Sequence, residues 1–361
     1  MRIGIIGAGQ LGQMLGFAAR KLGDECRFID PSDSPPAAVC GDVIRKPFDD
    51  ADALADLAAN CDVVTYEFEN VPVEALSHIE GKVPVYPPAA ALQHSQDRLD
   101  EKRLFTDLEI PLSRYRRIDS REDIDAAIDA LGLPIVIKTR RLGYDGKGQF
   151  IVRSQEDCDE AWQALGGNAL IAEAWVPFDY EVSCIGVRNV AGDVAIYPLA
   201  RNVHVEGILR TSCSPVDAPG LAAKAEDYVR RLLDHLDYVG TLALELFVCG
   251  EDLFANEFAP RVHNSGHWSI EGSATSQFEN HIRAVLGRPL GSTAPQGHAG
   301  MVNLIGEIPD EARNLDVGTL HDYGKSPRPG RKLGHITVTA ETGAARDSGI
   351  DIIERCVTAS T

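Results

Sequence analysis

No apolar run in this 361-residue chain approaches the roughly 18 residues that a membrane-crossing helix needs, and that absence excludes a helical membrane protein. The opening residues, Met1 to Ile6, run straight into Gly7 and Gly9 without the apolar stretch and small-residue cleavage site of a secretory signal, so they are expected to form a first strand. No two of the eight cysteines form a C-x-x-C pair. Their scatter argues against a zinc or disulfide framework and for reduced thiols in a cytoplasmic protein. Positive charge is scarce: 35 Lys and Arg stand against 54 Asp and Glu, a formal net of −19. A nucleic-acid partner calls for a basic footprint and is therefore not expected, whereas a small anionic ligand needs only a local basic patch. There is no internal repeat and no low-complexity tract.

What is present is a βα rhythm over the first hundred residues. Ile3–Ile6, Cys26–Asp30, Val63–Tyr66 and Val83–Tyr86 read as strands, with helices over Leu11–Leu22 and Asp52–Ala59. Such alternation predicts a doubly wound parallel sheet with helices on both faces. Pro87-Pro88 closes the unit. After a helix over Ser95–Leu108 the pattern becomes α+β: strands Ile135–Lys138, Phe150–Arg153 and Leu170–Ala174 around a helix Glu156–Leu165. Longer strands (Glu181–Arg188, Ala195–Leu199), a helix Ala222–Leu236, a hairpin Thr241–Asn256 and a helix Thr275–Leu286 follow, and the last 70 residues read as short strands and turns.

Five segments carry chemistry. Gly7-Ala8-Gly9-Gln10-Leu11-Gly12 between a strand and a helix matches the dinucleotide fingerprint, with Asp30 near the place of the ribose-binding acid. It supports a phosphate of any kind at a helix N-terminus, or a nicotinamide cofactor, or simple close packing. The loop Gly143–Gly148 after Lys138 has three glycines and a second cation, Lys147, and can lie flat over a phosphate chain, though it is no Walker loop. Glu245 stands in an apolar strand and Glu257 follows its hairpin partner. A two-residue turn at Gly250-Glu251 sets Glu245 opposite Asn256, while a longer turn or a bulge sets it opposite Glu257. Either cluster of oxygens suits Mg2+, and a lone carboxylate buried there would be costly. Finally, His263 and His267 lie in a polar stretch after Glu257, where anion or sugar binding is favoured over zinc. Lys325, Arg328, Arg331 and Lys332 form a basic loop that reads as an anion clamp or a solvated turn.

Taken in order, Gly9-Gln10-Leu11-Gly12, Gly143-Tyr144-Asp145-Gly146-Lys147-Gly148-Gln149, the run from Asn256 to His267, Ser276-Gln277-Phe278-Glu279 and Gly330-Arg331-Lys332-Leu333-Gly334-His335 resemble the ATP-grasp superfamily. Within it they resemble the N5-carboxyaminoimidazole ribonucleotide synthase family, over nearly the whole chain. The resemblance implies an ATP-grasp fold with an N-terminal Rossmann-like domain (1–94), a central lid (95–177) and a C-terminal α+β region (178–361). It implies ATP-dependent carboxylation of aminoimidazole ribonucleotide by bicarbonate through carboxyphosphate, with ATP and Mg2+, in a homodimer. Carried over residue by residue, it implies an ATP site of Arg98, Lys138, the loop Gly143, Tyr144, Asp145, Gly146, Lys147, Gly148 and Gln149, the hinge Glu173, Ala174, Trp175 and Val176, then Glu181, His204 and Asn256. Glu245 and Glu257 would hold the metal. Gln10, Leu11, Glu67 (with Glu69 competing), Asn264, Lys325, Arg331 and Lys332 would take the ribonucleotide. Tyr144, Asp145, Glu67, Arg261 and Lys332 would stand nearest the chemistry. The formate-dependent glycinamide ribonucleotide transformylase is the nearest rival, an NAD-dependent dehydrogenase the rival of another class, and a non-catalytic nucleotide-binding regulator the third.

Overall fold

The computed structural model describes residues 1–143 and 147–358. The predicted parallel sheet is present, with strands in the order Gly41–Ile44, Glu25–Ile29, Arg2–Ile6, Val63–Tyr66. Alternation along Arg2–Ile6 explains its two faces. Ile3 and Ile5 pack with Leu11 and Leu15 of the helix Gln10–Lys21, while Ile6 packs with Leu54 and Leu57 of the helix Ala51–Asn60. Val83–Tyr86, expected as the fourth strand, is not one. Val85 only bridges Val64, and the flanking Pro84 and Pro87 have no N–H to extend a ladder. Gly41–Ile44 takes that place at the opposite edge.

The expected helix Ser95–Leu108 is two helices, Ala89–Ser95 and Arg98–Asp107. Asp97 causes the break: its carboxylate accepts the Leu99 N–H at 3.0 Å, an N-cap that restarts the helix. A four-stranded antiparallel sheet follows, ordered Tyr115–Ile118, Leu170–Ala174, Ile135–Thr139, Gln149–Val152. The helices Arg121–Leu131 and Asp157–Leu165 cover it around Ile124, Ile137 and Leu170.

The third sheet has nine strands. Its central ladder pairs Tyr180–Arg188 with Gly240–Cys249, which pairs in turn with Asp252–Ala259. The expected strand Ala195–Leu199 is instead split into Val194–Ile196 and Ala200–Val205, with Ile208–Ser214 beside the latter. Pro198, which has no N–H to give a ladder, stands in the gap. The C-terminal residues are not short pieces. His298–Ile305 and Lys332–Ala340 are paired strands of eight and nine residues, and Gly343–Thr358 is a 16-residue helix packed on them.

Candidate active site

The hairpin that carries the acid pair combines both turn readings. Gly250-Glu251 is a two-residue connection, with Cys249 opposite Asp252 and Gly250 at φ +60°. A bulge then skips Asn256, so Leu246 faces Ala255 and Glu245 faces Glu257. The extra residue is held from behind, where Lys102 donates to the Asn256 carbonyl at 2.5 Å. The Asn256 Oδ1 is buried without a hydrogen-bond partner among the described residues.

One cavity of about 830 Å³ joins this hairpin to the first glycine loop and the basic loop. Of the expected residues, Gln10, Leu11, Glu67, Arg98, Gly143, Glu245, Glu257, Arg261, Asn264, Lys325, Arg331 and Lys332 line it. Lys138, Lys147, Gly148, Gln149, Glu173, Ala174, Trp175, Val176, Glu181, His204 and Asn256 lie off that lining. Tyr144, Asp145 and Gly146 fall outside the described residues.

At the hairpin end the charges interlock. Arg98 meets Glu257 at 2.8 Å. Glu173, almost fully buried, receives Lys138 at 3.0 Å and Lys102 at 3.6 Å. Burial alone would raise the Glu173 carboxyl, but Lys102, Lys138 and Arg98 together hold it down at about 2. Glu257 is likewise lowered against the pull of burial, by Arg98 first. Glu245 goes the other way, raised by burial and by the charge of Glu257 opposite. Its neighbour is His263, with Nε2 3.4 Å from Glu245 Oε1. His263 Nδ1 lies 3.3 Å from the Ser265 N–H that it accepts, so Nε2 carries the ring proton toward Glu245. Glu181 and His204, expected as separate nucleotide contacts, are hydrogen-bonded to each other. In the hinge, the Ala174 and Trp175 N–H groups already donate to the carbonyls of Arg114 (2.8 Å) and Pro134 (3.2 Å), so at those two positions only carbonyls remain for a ligand.

At the other end the glycine loop is not empty. The Glu67 carboxylate accepts the Gly9 N–H at 2.7 Å, and a Cβ on Gly7 would lie 2.7 Å from the same oxygen, which with φ +101° is why glycine stands there. Burial raises the Glu67 carboxyl. Asp30 accepts the Ala8 N–H at 2.9 Å and the Ser32 N–H at 2.8 Å and is buried, so it is no ribose-binding acid and the nicotinamide reading loses its support. Glu69 is tied to Arg261. Lys325 bonds Gln10 Oε1 at 2.6 Å and the Lys332 carbonyl at 3.2 Å, and Arg331 bonds the Ser326 carbonyl at 3.2 Å. Burial, then Arg331, push the Lys325 ammonium down to about 8. The Asn264 side chain is locked in a reciprocal amide pair with Asn303, at 3.1 and 2.7 Å.

Sequence reading passed over Lys102 and Glu101. Both stand on the helix of Arg98, at the third and fourth positions after it, a spacing that puts them on its face and was there to be read. Glu101 accepts the Phe258 N–H at 2.7 Å, and burial raises its carboxyl to about 8 against the pull of Lys102. His267 is buried against Phe278 and His335, and no three His, Cys, Asp or Glu side chains form a metal cage among the described residues.

Three family models match in chain order: the ribonucleotide synthetase preATP-grasp domain over residues 1–96, the ATP-grasp domain over 103–278, and the phosphoribosylaminoimidazole carboxylase C-terminal domain over 299–348. With a glycine loop, a carboxylate pair and a basic loop on one cleft, they define an ATP-grasp ligase. The N5-carboxyaminoimidazole ribonucleotide synthase of Pseudomonas aeruginosa is 48% identical over 361 residues, 99% of this chain and 100% of that protein. The synthetase structure from Thermus thermophilus superposes with a TM-score of 0.94 at 51% identity, covering 98% of each chain. The Aspergillus clavatus synthase, solved with ADP and 5-aminoimidazole ribonucleotide, has a TM-score of 0.91 at 30% identity over 99% of this chain and 98% of that one. The chain belongs to the N5-carboxyaminoimidazole ribonucleotide synthase family.

Proposed function

We infer that this enzyme uses ATP to carboxylate 5-aminoimidazole ribonucleotide with bicarbonate, giving N5-carboxyaminoimidazole ribonucleotide, ADP and phosphate, through carboxyphosphate. The observation that carries the reading is the continuity of the cleft: the Glu245/Glu257 pair and the Lys325–Lys332 clamp open on the same cavity. A labile acyl phosphate made at one end would reach an acceptor held at the other within one cleft. Residues 1–94, 95–177 and 178–361 would be its three domains.

The hairpin end fits a divalent cation. Two opposed carboxylates, one raised by the other, and the orphaned Asn256 Oδ1 form an oxygen-rich, charge-rich spot. Mg2+ bound by Glu245 and Glu257 would neutralise the phosphate oxygens of ATP during transfer. Around it, Arg98 and Lys138 are held at fixed positions by Glu257 and Glu173 to meet phosphate, with Lys147, Gly143, Gly148 and Gln149 closing over it. Glu173 to Val176 would border the adenine, and Glu181 with His204 the ribose. Phosphoryl transfer needs such positioning more than covalent help. Gln10 and Leu11, in the first turn of their helix, have N–H groups without intrahelical acceptors and would meet the ribonucleotide. Glu67, Asn264, Lys325, Arg331 and Lys332 would complete that pocket. Arg261, Tyr144 and Asp145 would order bicarbonate between the two. A cytoplasmic homodimer is the assembly this reading carries, and light scattering measures it.

ADP release tests the reading. Aminoimidazole ribonucleotide with bicarbonate should drive it, and glycinamide ribonucleotide with formate should not. The reverse preference would replace the carboxylating reading with the transformylase.

A further inference from the structure

The basic loop hangs from a buried aromatic anchor that no step above uses. It links the strands Thr319–Asp322 and Lys332–Ala340, which pair with His321 opposite His335. At its base the Tyr323 hydroxyl and His335 Nδ1 are 2.7 Å apart, and both residues are buried. The His335 ring stacks on His321 (centroids 4.4 Å apart, planes at 10°), and His321 is fixed by Glu271 at 2.7 Å. Tyr323 also donates its backbone N–H to Leu333 at 2.9 Å, closing the loop at its neck. The Tyr323 ring belongs to the buried cluster that holds Ala8 and Leu11, and the Lys325 ammonium stands 5.9 Å from its centroid. One side chain therefore touches the core beneath the glycine loop, carries the clamp lysine on its face and hydrogen-bonds the clamp's second strand.

A phenol is an expensive choice for this place if packing is its only task. Burying a hydroxyl costs free energy unless it is hydrogen-bonded, and phenylalanine fills nearly the same volume. Among the described residues the hydroxyl finds its partner in His335 alone, and His335 Nε2 has none. Both groups are neutral, since burial raises the phenol and lowers the imidazole. So the bond contributes no charge to a ligand; what it contributes is a fixed distance between the start of the loop that carries Lys325 and the strand that begins at Lys332.

We propose that Tyr323 and His335 are positioning residues for ribonucleotide binding, holding Lys325 against Gln10 and Lys332 in the cleft. The proposal rests on the reading that this end of the cleft takes the ribonucleotide. The test uses the full-length enzyme, with aminoimidazole ribonucleotide and ATP varied separately and thermal melting recorded beside the kinetics. Loss of one neutral hydrogen bond in Tyr323→Phe should raise the KM for the ribonucleotide about three- to tenfold. The KM for ATP should stay within about twofold and Tm within a few degrees, because the ring and its packing remain. His335→Asn, whose amide reaches the same hydroxyl, should retain near wild-type KM, and His335→Leu should reproduce the Tyr323→Phe defect. An unchanged ribonucleotide KM in folded Tyr323→Phe overturns the proposal. So do parallel rises in both KM values, or failure of both Tyr323→Phe and His335→Asn to fold, since these are the marks of a structural residue. If the wild-type enzyme releases ADP without regard to the ribonucleotide, the functional reading itself falls, an outcome distinct from all of these.

Discussion

The two ends of the cleft handle charge in opposite ways. At the hairpin end four cations have acids: Arg98 has Glu257, Lys138 and Lys102 share Glu173, and Arg140 takes Asp97 through two bonds of 2.9 and 2.7 Å. At the basic-loop end, Lys325 and Arg331 rest on neutral oxygens, the amide of Gln10 and the carbonyls of Lys332 and Ser326. A self-neutralised network is rigid before any ligand arrives, as suits an end where a polyanion must be aligned for transfer. A clamp built on neutral acceptors keeps its positive charge for the ligand. This contrast predicts that damage at the hairpin end appears in stability and turnover, and damage at the basic-loop end in ribonucleotide binding.

The largest effect is expected at Glu173. Glu173→Ala strands the buried Lys102 and the part-buried Lys138, and breaking such a network costs about 3–5 kcal/mol, read as a lowered denaturant midpoint. Glu173 also gives the sign of the acid limb. Its folded pKa of about 2 lies below the ordinary value of 4.5, so its contribution is complete above 4.5 and fades as pH falls toward 2. Glu173→Gln should flatten that part of the stability profile. If the profile is unchanged, the hub is not where acid stability resides.

Next is Glu257→Gln. An amide keeps the shape without the charge, and kcat should fall on the order of 10²-fold or more while circular dichroism stays unchanged. Wild-type turnover at limiting Mg2+ would remove Glu257 from the metal site. Lys332→Ala should follow, lowering kcat/KM for the ribonucleotide by about tenfold to a hundredfold, as for a lost hydrogen bond to a charged group. Its KM for ATP should change within about twofold. Equal loss for both substrates would erase the contrast between the ends.

The smallest effect is a pH dependence. The Lys325 ammonium, pushed down to about 8, loses its proton as pH rises through that value. In the free enzyme, kcat/KM for the ribonucleotide should decline above pH 8 by up to about tenfold per unit. Lys325→Arg, always charged, should move the decline out of range. A decline that persists in the arginine variant belongs to another group.

Much of this cleft was legible because its parts are local. The oxygen cluster followed from an apolar strand interrupted by Glu245 and a turn that folds Asn256 and Glu257 back beside it, and the basic loop from four cations in an acidic chain. The bulge at Asn256 was legible only as an alternative, since Lys102, which bonds the Asn256 carbonyl there, lies 154 positions away in sequence. The docking of Glu67 on Gly9 and of Glu173 between two lysines is equally non-local. Hydrophobic pattern also misled at the C-terminus. The last 70 residues, expected as short strands and turns, end in the helix Gly343–Thr358, where a Cβ at Gly349 would come within 2.8 Å of Val338, so the glycine is what lets the helix approach the sheet.

Glu67 on the Gly9 N–H has one more consequence. A loop of this design attracts any phosphate in solution, and free phosphate and dinucleotides are common solutes. Here a carboxylate already occupies part of it, attached to the same chain and thus present at an effective concentration that no free solute matches. At that one donor it competes with free anions. An incoming anion gains nothing from displacing it and must instead engage the donors beside it, Gln10 and Leu11, together with the basic loop across the cleft. An anion that reaches both the start of the helix and the basic loop gains from both sets of donors, where a shorter one gains from one set.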